Sequence, residues 1–84
     1  MYNIDWTPKA LKQLSKIDRI HRNDIVDAVD ALHDFPKAKH VIALTNHKYG
    51  YRLRVGNYRV LFDADTAVKI IDIQQVVKRD DNTY

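Results

Sequence analysis

Tyr51-Arg52-Leu53-Arg54-Val55-Gly56-Asn57-Tyr58-Arg59-Val60-Leu61-Phe62 reads as two short alternating strands joined by Gly-Asn, a two-residue hairpin signal. With Gly56 and Asn57 in the loop, Val55 lies opposite Tyr58, Arg54 opposite Arg59 and Leu53 opposite Val60. Arg52 then meets Leu61, and Tyr51 meets Phe62. Side chains alternate faces along a strand. Tyr51, Leu53, Val55, Tyr58, Val60 and Phe62 therefore make one apolar face, while Arg52, Arg54, Arg59 and Leu61 share the other. Like charges directly across a hairpin destabilise it. Arg54 facing Arg59 calls for a counter-charge, which an anionic ligand would supply.

The segments before the hairpin supply what covers its apolar side. Tyr2-Asn3-Ile4-Asp5-Trp6 alternates as a short strand, and Thr7-Pro8 is a helix start, with Thr as N-cap and Pro at the first helical position. Trp6 and Leu11 stand at the two positions of a hydrophobic staple, and this helix is expected to continue through Leu14 and Ile17. Asp18 is placed to cap a second helix running to about His33, with Ile25, Val26, Val29 and Leu32 on its apolar side. It breaks at Asp34-Phe35-Pro36, because the residue before proline avoids the helical region. A helical hairpin cannot bury its apolar side alone and needs the sheet.

Residues 36 to 48 read as a basic loop with Val41 to Leu44 as a short anchoring segment. After the hairpin, Asp63-Ala64-Asp65-Thr66 makes a turn. Val68 to Val77 is then a strand whose mixed pattern suits cover on both faces. The expected fold is α+β, with two N-terminal helices on one face of a small, mainly antiparallel sheet in the order β-α-α-β-β-β. The Arg face is left open. Residues 1 to 84 form a single domain on this reading, without internal repeat or linker.

Composition narrows the function classes. The chain has 84 residues, no cysteine and a net charge of +3, so a disulfide framework and a cysteine zinc site are excluded. Neither a signal pattern nor a long apolar run is present, which points to a cytoplasmic protein with no membrane partner. The charge is unevenly spread. No acid lies between Asp34 and Asp63, whereas Lys37, Lys39, Lys48, Arg52, Arg54 and Arg59 do. A basic stripe of this kind suits nucleic acid or an acidic protein segment.

Arg52, Arg54 and Arg59 are the strongest constellation for chemistry, because guanidinium binds phosphate bidentately and stays protonated. Grouped on one open face, they suit a phosphodiester and the negative charge that develops in phosphoryl transfer. The tail adds Lys78, Arg79 and Tyr84, and the unclear turn length leaves open whether Lys78 or Arg79 faces the site. His47, next to Lys48 in the basic loop, is a candidate proton-transfer group. His21, His33, His40 and His47 show no metal spacing, and the acids are Asp throughout with no evident catalytic pair. Neither a metal nor another cofactor is expected.

Three stretches resemble the RelE/ParE superfamily of type II toxins. They are Trp6-Thr7-Pro8-Lys9-Ala10-Leu11, the helical hairpin ending in Phe35-Pro36, and Tyr51 to Val60 with its Tyr-Arg-Leu-Arg-Val-Gly-Asn-Tyr-Arg run. The ending Val77-Lys78-Arg79 to Tyr84 is similar to the basic-then-tyrosine ending of that family, with slightly different spacing. The resemblance spans essentially the whole chain and implies a RelE-like fold. It also implies a partner antitoxin that wraps the toxin, in a higher-order complex able to bind operator DNA through the antitoxin. RelE-type members are mRNA interferases: ribosome-dependent endoribonucleases that cut mRNA in the A site by metal-free attack of the 2′-hydroxyl. Their partners are therefore the ribosome and mRNA. ParE-type members share the fold and inhibit DNA gyrase by binding it. Carried over by position, the resemblance assigns Arg52 and Arg54 to the paired basic strand residues and Arg59 to the arginine after the hairpin. Arg79 (or Lys78) takes the late basic position, and Tyr84 the tyrosine that assists proton transfer. The expected catalytic set is Arg54, Arg59, Arg79 and Tyr84, with Arg52, His47, Lys48 and Lys78 binding substrate.

Overall fold

The computed structural model of the chain describes residues 1–79. Strand β1 (Asn3–Trp6) leads into helices α1 (Pro8–Ser15) and α2 (Arg19–Asp30), the latter followed by a 3₁₀ turn over Ala31–Asp34. Strands β2 (Val41–Ala43), β3 (Tyr51–Val55), β4 (Tyr58–Asp65) and β5 (Ile70–Lys78) complete a five-stranded sheet in the order β1-β5-β4-β3-β2. Only β1 and β5 run parallel; the other neighbours are antiparallel. This is the α+β arrangement expected from the sequence. The anchoring segment adds a short edge strand that pairs Ile42 with Arg52. Among the described residues no helix is long and apolar enough to cross a membrane.

The hairpin has the expected register, from Val55 with Tyr58 to Tyr51 with Phe62. Gly56 takes φ +56°, and Asn57 is not among the residues with positive φ. Positive φ at the first loop residue alone is the pattern of a type II′ turn, which requires glycine there.

Helix α1 is fastened to β5 by its cap. The Thr7 hydroxyl accepts from Ala10 N–H at 3.2 Å and donates to the Ile73 carbonyl at 2.8 Å. Strand β1 ends at Trp6, opposite Ile73, so β5 beyond that point lacks a strand neighbour on this side. The Gln13 side chain fills the gap by accepting the Val76 N–H at 2.7 Å. A backbone donor left unmatched by a short edge strand is thus satisfied by a helix.

The core lies between the helices and the sheet. Ala10 and Leu14 from α1, Ile25 and Val29 from α2, and Leu32 meet Leu53, Val60, Phe62, Ile71, Ile73 and Val76. Three local expectations are revised. First, α1 stops at Ser15, and Ile17 sits in the following turn, its N–H bonded to the Leu14 carbonyl at 3.1 Å. Second, Asp18 occupies the N-cap position of α2 without a side-chain cap bond; its carboxylate goes to His21 Nδ1 instead. Third, β4 runs on through Asp65, so the turn lies at residues 66–69 and not over 63–66; β5 starts at Ile70 rather than Val68, and its mixed pattern has a different cause from double burial. Leu61 pairs with Gln75 but Phe62 with Ile73, so Gln74 is an extra residue in a β-bulge. The bulge shifts the alternation: Ile71, Ile73 and Val76 all point inward and are buried, while Asp72, Gln75 and Val77 turn to the other face.

Candidate phosphate-binding face

On the sheet face away from the helices, β3 contributes Arg52 and Arg54 and β4 contributes Arg59, directly across from Arg54. The bulge determines what the end of β5 adds. Tyr58 pairs with Lys78 on the helix side and Arg59 with Val77 on the open side. The next residue, Arg79, donates its backbone N–H to the Asn57 carbonyl. Arg79 therefore joins the arginine face, and Lys78 is exposed on the opposite one. Four guanidinium groups converge at one end of the open face. The pKa of Arg59 is pushed below the usual arginine value, first by burial and then by Arg52, Arg79 and Arg54. Those three charges lie close enough to Arg59 to be felt, and the site holds a concentrated positive field.

The other end of the same face is acidic. Asp5 pairs with Asp72 and Asp72 with Asp63, forming a row across β1, β5 and β4. Among the described residues, no group of three or more His, Cys, Asp or Glu is placed to hold a metal ion. Asp63 serves the fold, since its carboxylate accepts the Gly50 N–H at 2.7 Å and the Gln74 amide at 3.3 Å. It thereby ties the loop between β2 and β3 to the sheet. Asp63→Ala should lower stability by ~1–3 kcal/mol, the usual result of stranding such donors, or roughly 4–8 °C in Tm per kcal/mol for a domain this small. A thermal melt checks the loss, and faster amide exchange at Gly50 locates it.

That loop carries His47 and Lys48, both exposed. His47 Nδ1 accepts the Tyr49 N–H at 3.1 Å, and Lys48 Nζ stands 5.5 Å from the centre of the Tyr49 ring. Both flank Tyr49, and the arginine group itself is built by β3, β4 and the residue after β5. Tyr84 lies outside the described residues. Sequence patterning gives no signal for Tyr49, which sits between strands where alternation does not apply. Its hydroxyl accepts a hydrogen bond from Gln75 Nε2 at 3.2 Å. The Tyr49 pKa is lowered, chiefly by that bond and further by Lys48 and Lys9, against a smaller opposing effect of burial.

Comparison with known proteins places the chain among toxins. The family model described as ParE toxin of type II toxin-antitoxin system, parDE, matches residues 4–83. No curated protein matches the chain in sequence. The RelE–RelB complex of the archaeon Pyrococcus horikoshii contains a chain of the same fold with 26% identity. It has a TM-score of 0.80, with 95% of this chain and 97% of that one covered. The RelBE2 toxin–antitoxin complex of Mycobacterium tuberculosis gives 20% identity and a TM-score of 0.78, covering 93% and 98%. The isolated RelE toxin of E. coli gives 17% and 0.80, covering 95% and 86%.

Proposed function

The chain belongs to the ParE toxin family of type II toxin–antitoxin systems, within the RelE/ParE superfamily, and from that premise we propose that it is a ribosome-dependent endoribonuclease that cleaves mRNA. The observation that carries this reading is the convergence of Arg52, Arg54 and Arg79 around Arg59. A phosphodiester is a ligand whose charge and oxygen geometry complement a cluster of four guanidinium groups. Guanidinium groups grip its oxygens bidentately and stabilise the charge that builds up as a 2′-hydroxyl attacks the phosphorus. Arg59 and Arg79 act on the developing charge, while Arg52 and Arg54 hold the strand. Phosphate contacts supply much of the binding energy, so affinity for the programmed ribosome falls with salt.

The partner on this reading is a cognate antitoxin, as RelB is for RelE in the matched complexes. Its segments over the basic face are acidic or apolar. A second reading follows from the family description itself, because ParE-type toxins act on DNA gyrase by binding. The two are separated by inducing the protein briefly, mapping mRNA 5′ ends and assaying plasmid supercoiling. New mRNA ends within reading frames, with supercoiling intact, are the expected result. Intact mRNA with lost supercoiling overturns the ribonuclease assignment in favour of the gyrase one.

A further inference from the structure

We propose that Tyr49 is the group that takes the proton from the attacking 2′-hydroxyl, held in place by Gln75. This rests on the ribonuclease reading above and adds a residue from the loop between β2 and β3. Tyr49 is well positioned for the step. Arg52, Leu61 and Gln75 form one row across β3, β4 and β5, and Arg54, Arg59 and Val77 form the neighbouring row. The Tyr49 hydroxyl is 3.2 Å from Gln75 Nε2, at the end of the first row. Gln75 itself pairs with Leu61, in the row next to the one that holds Arg59. On this proposal, a nucleotide whose phosphate sits on the arginines turns its ribose toward the row of Gln75.

The loop also holds the residue rigidly. Gly50, the next residue, is bonded through its N–H to Asp63 at 2.7 Å, and its carbonyl accepts from Leu44 N–H at 2.8 Å. The Tyr49 N–H is itself bonded to His47 Nδ1 at 3.1 Å. Tyr49 is half-buried. The phenol is thus presented in one place.

Its chemical environment suits a base. The Gln75 amide that donates to the oxygen, Lys48 on the same loop and Lys9 from α1 all favour the ionised phenol, against an opposing effect of burial. The His47 ring stands 6.1 Å from the Tyr49 ring between centres and accepts the Tyr49 N–H. Phenolate is the state that accepts a proton. In the step, the 2′-oxygen bonds to phosphorus and its proton passes to the Tyr49 oxygen. The bond from phosphorus to the 5′-oxygen breaks, and that oxygen takes a proton from water. The products are a 2′,3′-cyclic phosphate and a 5′-hydroxyl, and Tyr49 returns its proton to solvent.

The test is single-turnover cleavage of mRNA on programmed ribosomes across neutral to alkaline pH, with wild type, Tyr49→Phe and Gln75→Glu. The wild-type rate should climb with pH as the phenol ionises. Tyr49→Phe should lose that rising limb and fall by roughly 10²–10⁴-fold, the range for a positioned proton-transfer group. Gln75→Glu replaces a donor with a negative acceptor, so its limb should move to higher pH. A merely structural tyrosine would not produce that displacement. Should Tyr49→Phe fold poorly by circular dichroism, the Gln75→Glu displacement decides. Wild-type rate and profile in Tyr49→Phe, or an unmoved limb in Gln75→Glu, overturns the proposal while leaving the ribonuclease reading standing. A wild-type protein that cleaves no mRNA overturns both.

Discussion

Arg59→Ala is expected to abolish growth arrest and to cut mRNA cleavage by about 10²–10³-fold, the scale for removing one charge-stabilising group from a reacting centre. The protein should remain folded, with a Tm close to that of the wild type. The second half of the expectation follows from electrostatics. The Arg59 pKa is lowered by burial and by Arg52, Arg79 and Arg54, so the folded protein disfavours the charged form relative to the unfolded chain. For a base, that unfavourable contribution is present at every pH below the folded value. It therefore acts throughout the physiological range and is relieved only at strongly alkaline pH. Truncation to alanine removes it, together with the like-charge contact to Arg54, which costs up to about 1 kcal/mol in a hairpin. Loss of the packed aliphatic stem of the arginine works in the opposite direction.

Inorganic phosphate provides the complementary measurement, since a ligand that binds only the folded state raises Tm. It should raise the wild-type Tm more than that of Arg59→Ala. A toxic, well-folded Arg59→Ala protein would remove the phosphoryl-transfer role of this face.

The hairpin was legible in the sequence because two independent signals agreed there. Gly-Asn fixed the turn and strict alternation fixed the register, so both the apolar face and the facing arginines followed. The end of β5 was not legible for a local reason. Gln74 is inserted as a bulge, and beyond it the two-residue period reverses which side chains point outward. Periodicity therefore left Lys78 and Arg79 as equals, and backbone pairing with Asn57 separates them. Asp18 shows a different limit. Residue type marks a cap position, yet a histidine three residues on competes for the carboxylate. Tyr49 was invisible for a third reason: Gln75 and Lys9, which act on its hydroxyl, come from β5 and α1, elements distant in sequence. Tyr84, which the resemblance makes the proton carrier, lies outside the described residues, whereas Tyr49 is held by Gln75 within them.

Phe62→Ala should also abolish toxicity, by a route that other measurements distinguish. Phe62 is fully buried. Its ring stacks on Tyr51 at 5.4 Å between centroids and meets Phe35 edge-on at 5.9 Å, and Phe35 in turn packs against Tyr2. Removing a buried phenyl group costs ~3–5 kcal/mol through lost transfer energy and the cavity left behind. Aromatic pairs add ~0.5–1.5 kcal/mol each beyond area burial. A domain of this length has a total stability of only about 4–13 kcal/mol. The variant should therefore melt at least 10–20 °C lower, at roughly 4–8 °C per kcal/mol, and populate unfolded chain at growth temperature. A partner that binds only the folded state shifts this balance, by ~2.7 kcal/mol when present at a hundred times its dissociation constant. Co-expressed antitoxin should thus restore soluble Phe62→Ala protein to the complex, whereas nothing of the kind restores activity to Arg59→Ala. Both residues lie on β4, three positions apart and on opposite faces. A Phe62→Ala protein with an unchanged melt would mean that this strand does not anchor the core, and the arginine on its other face would then lack the rigid support that its proposed chemistry requires.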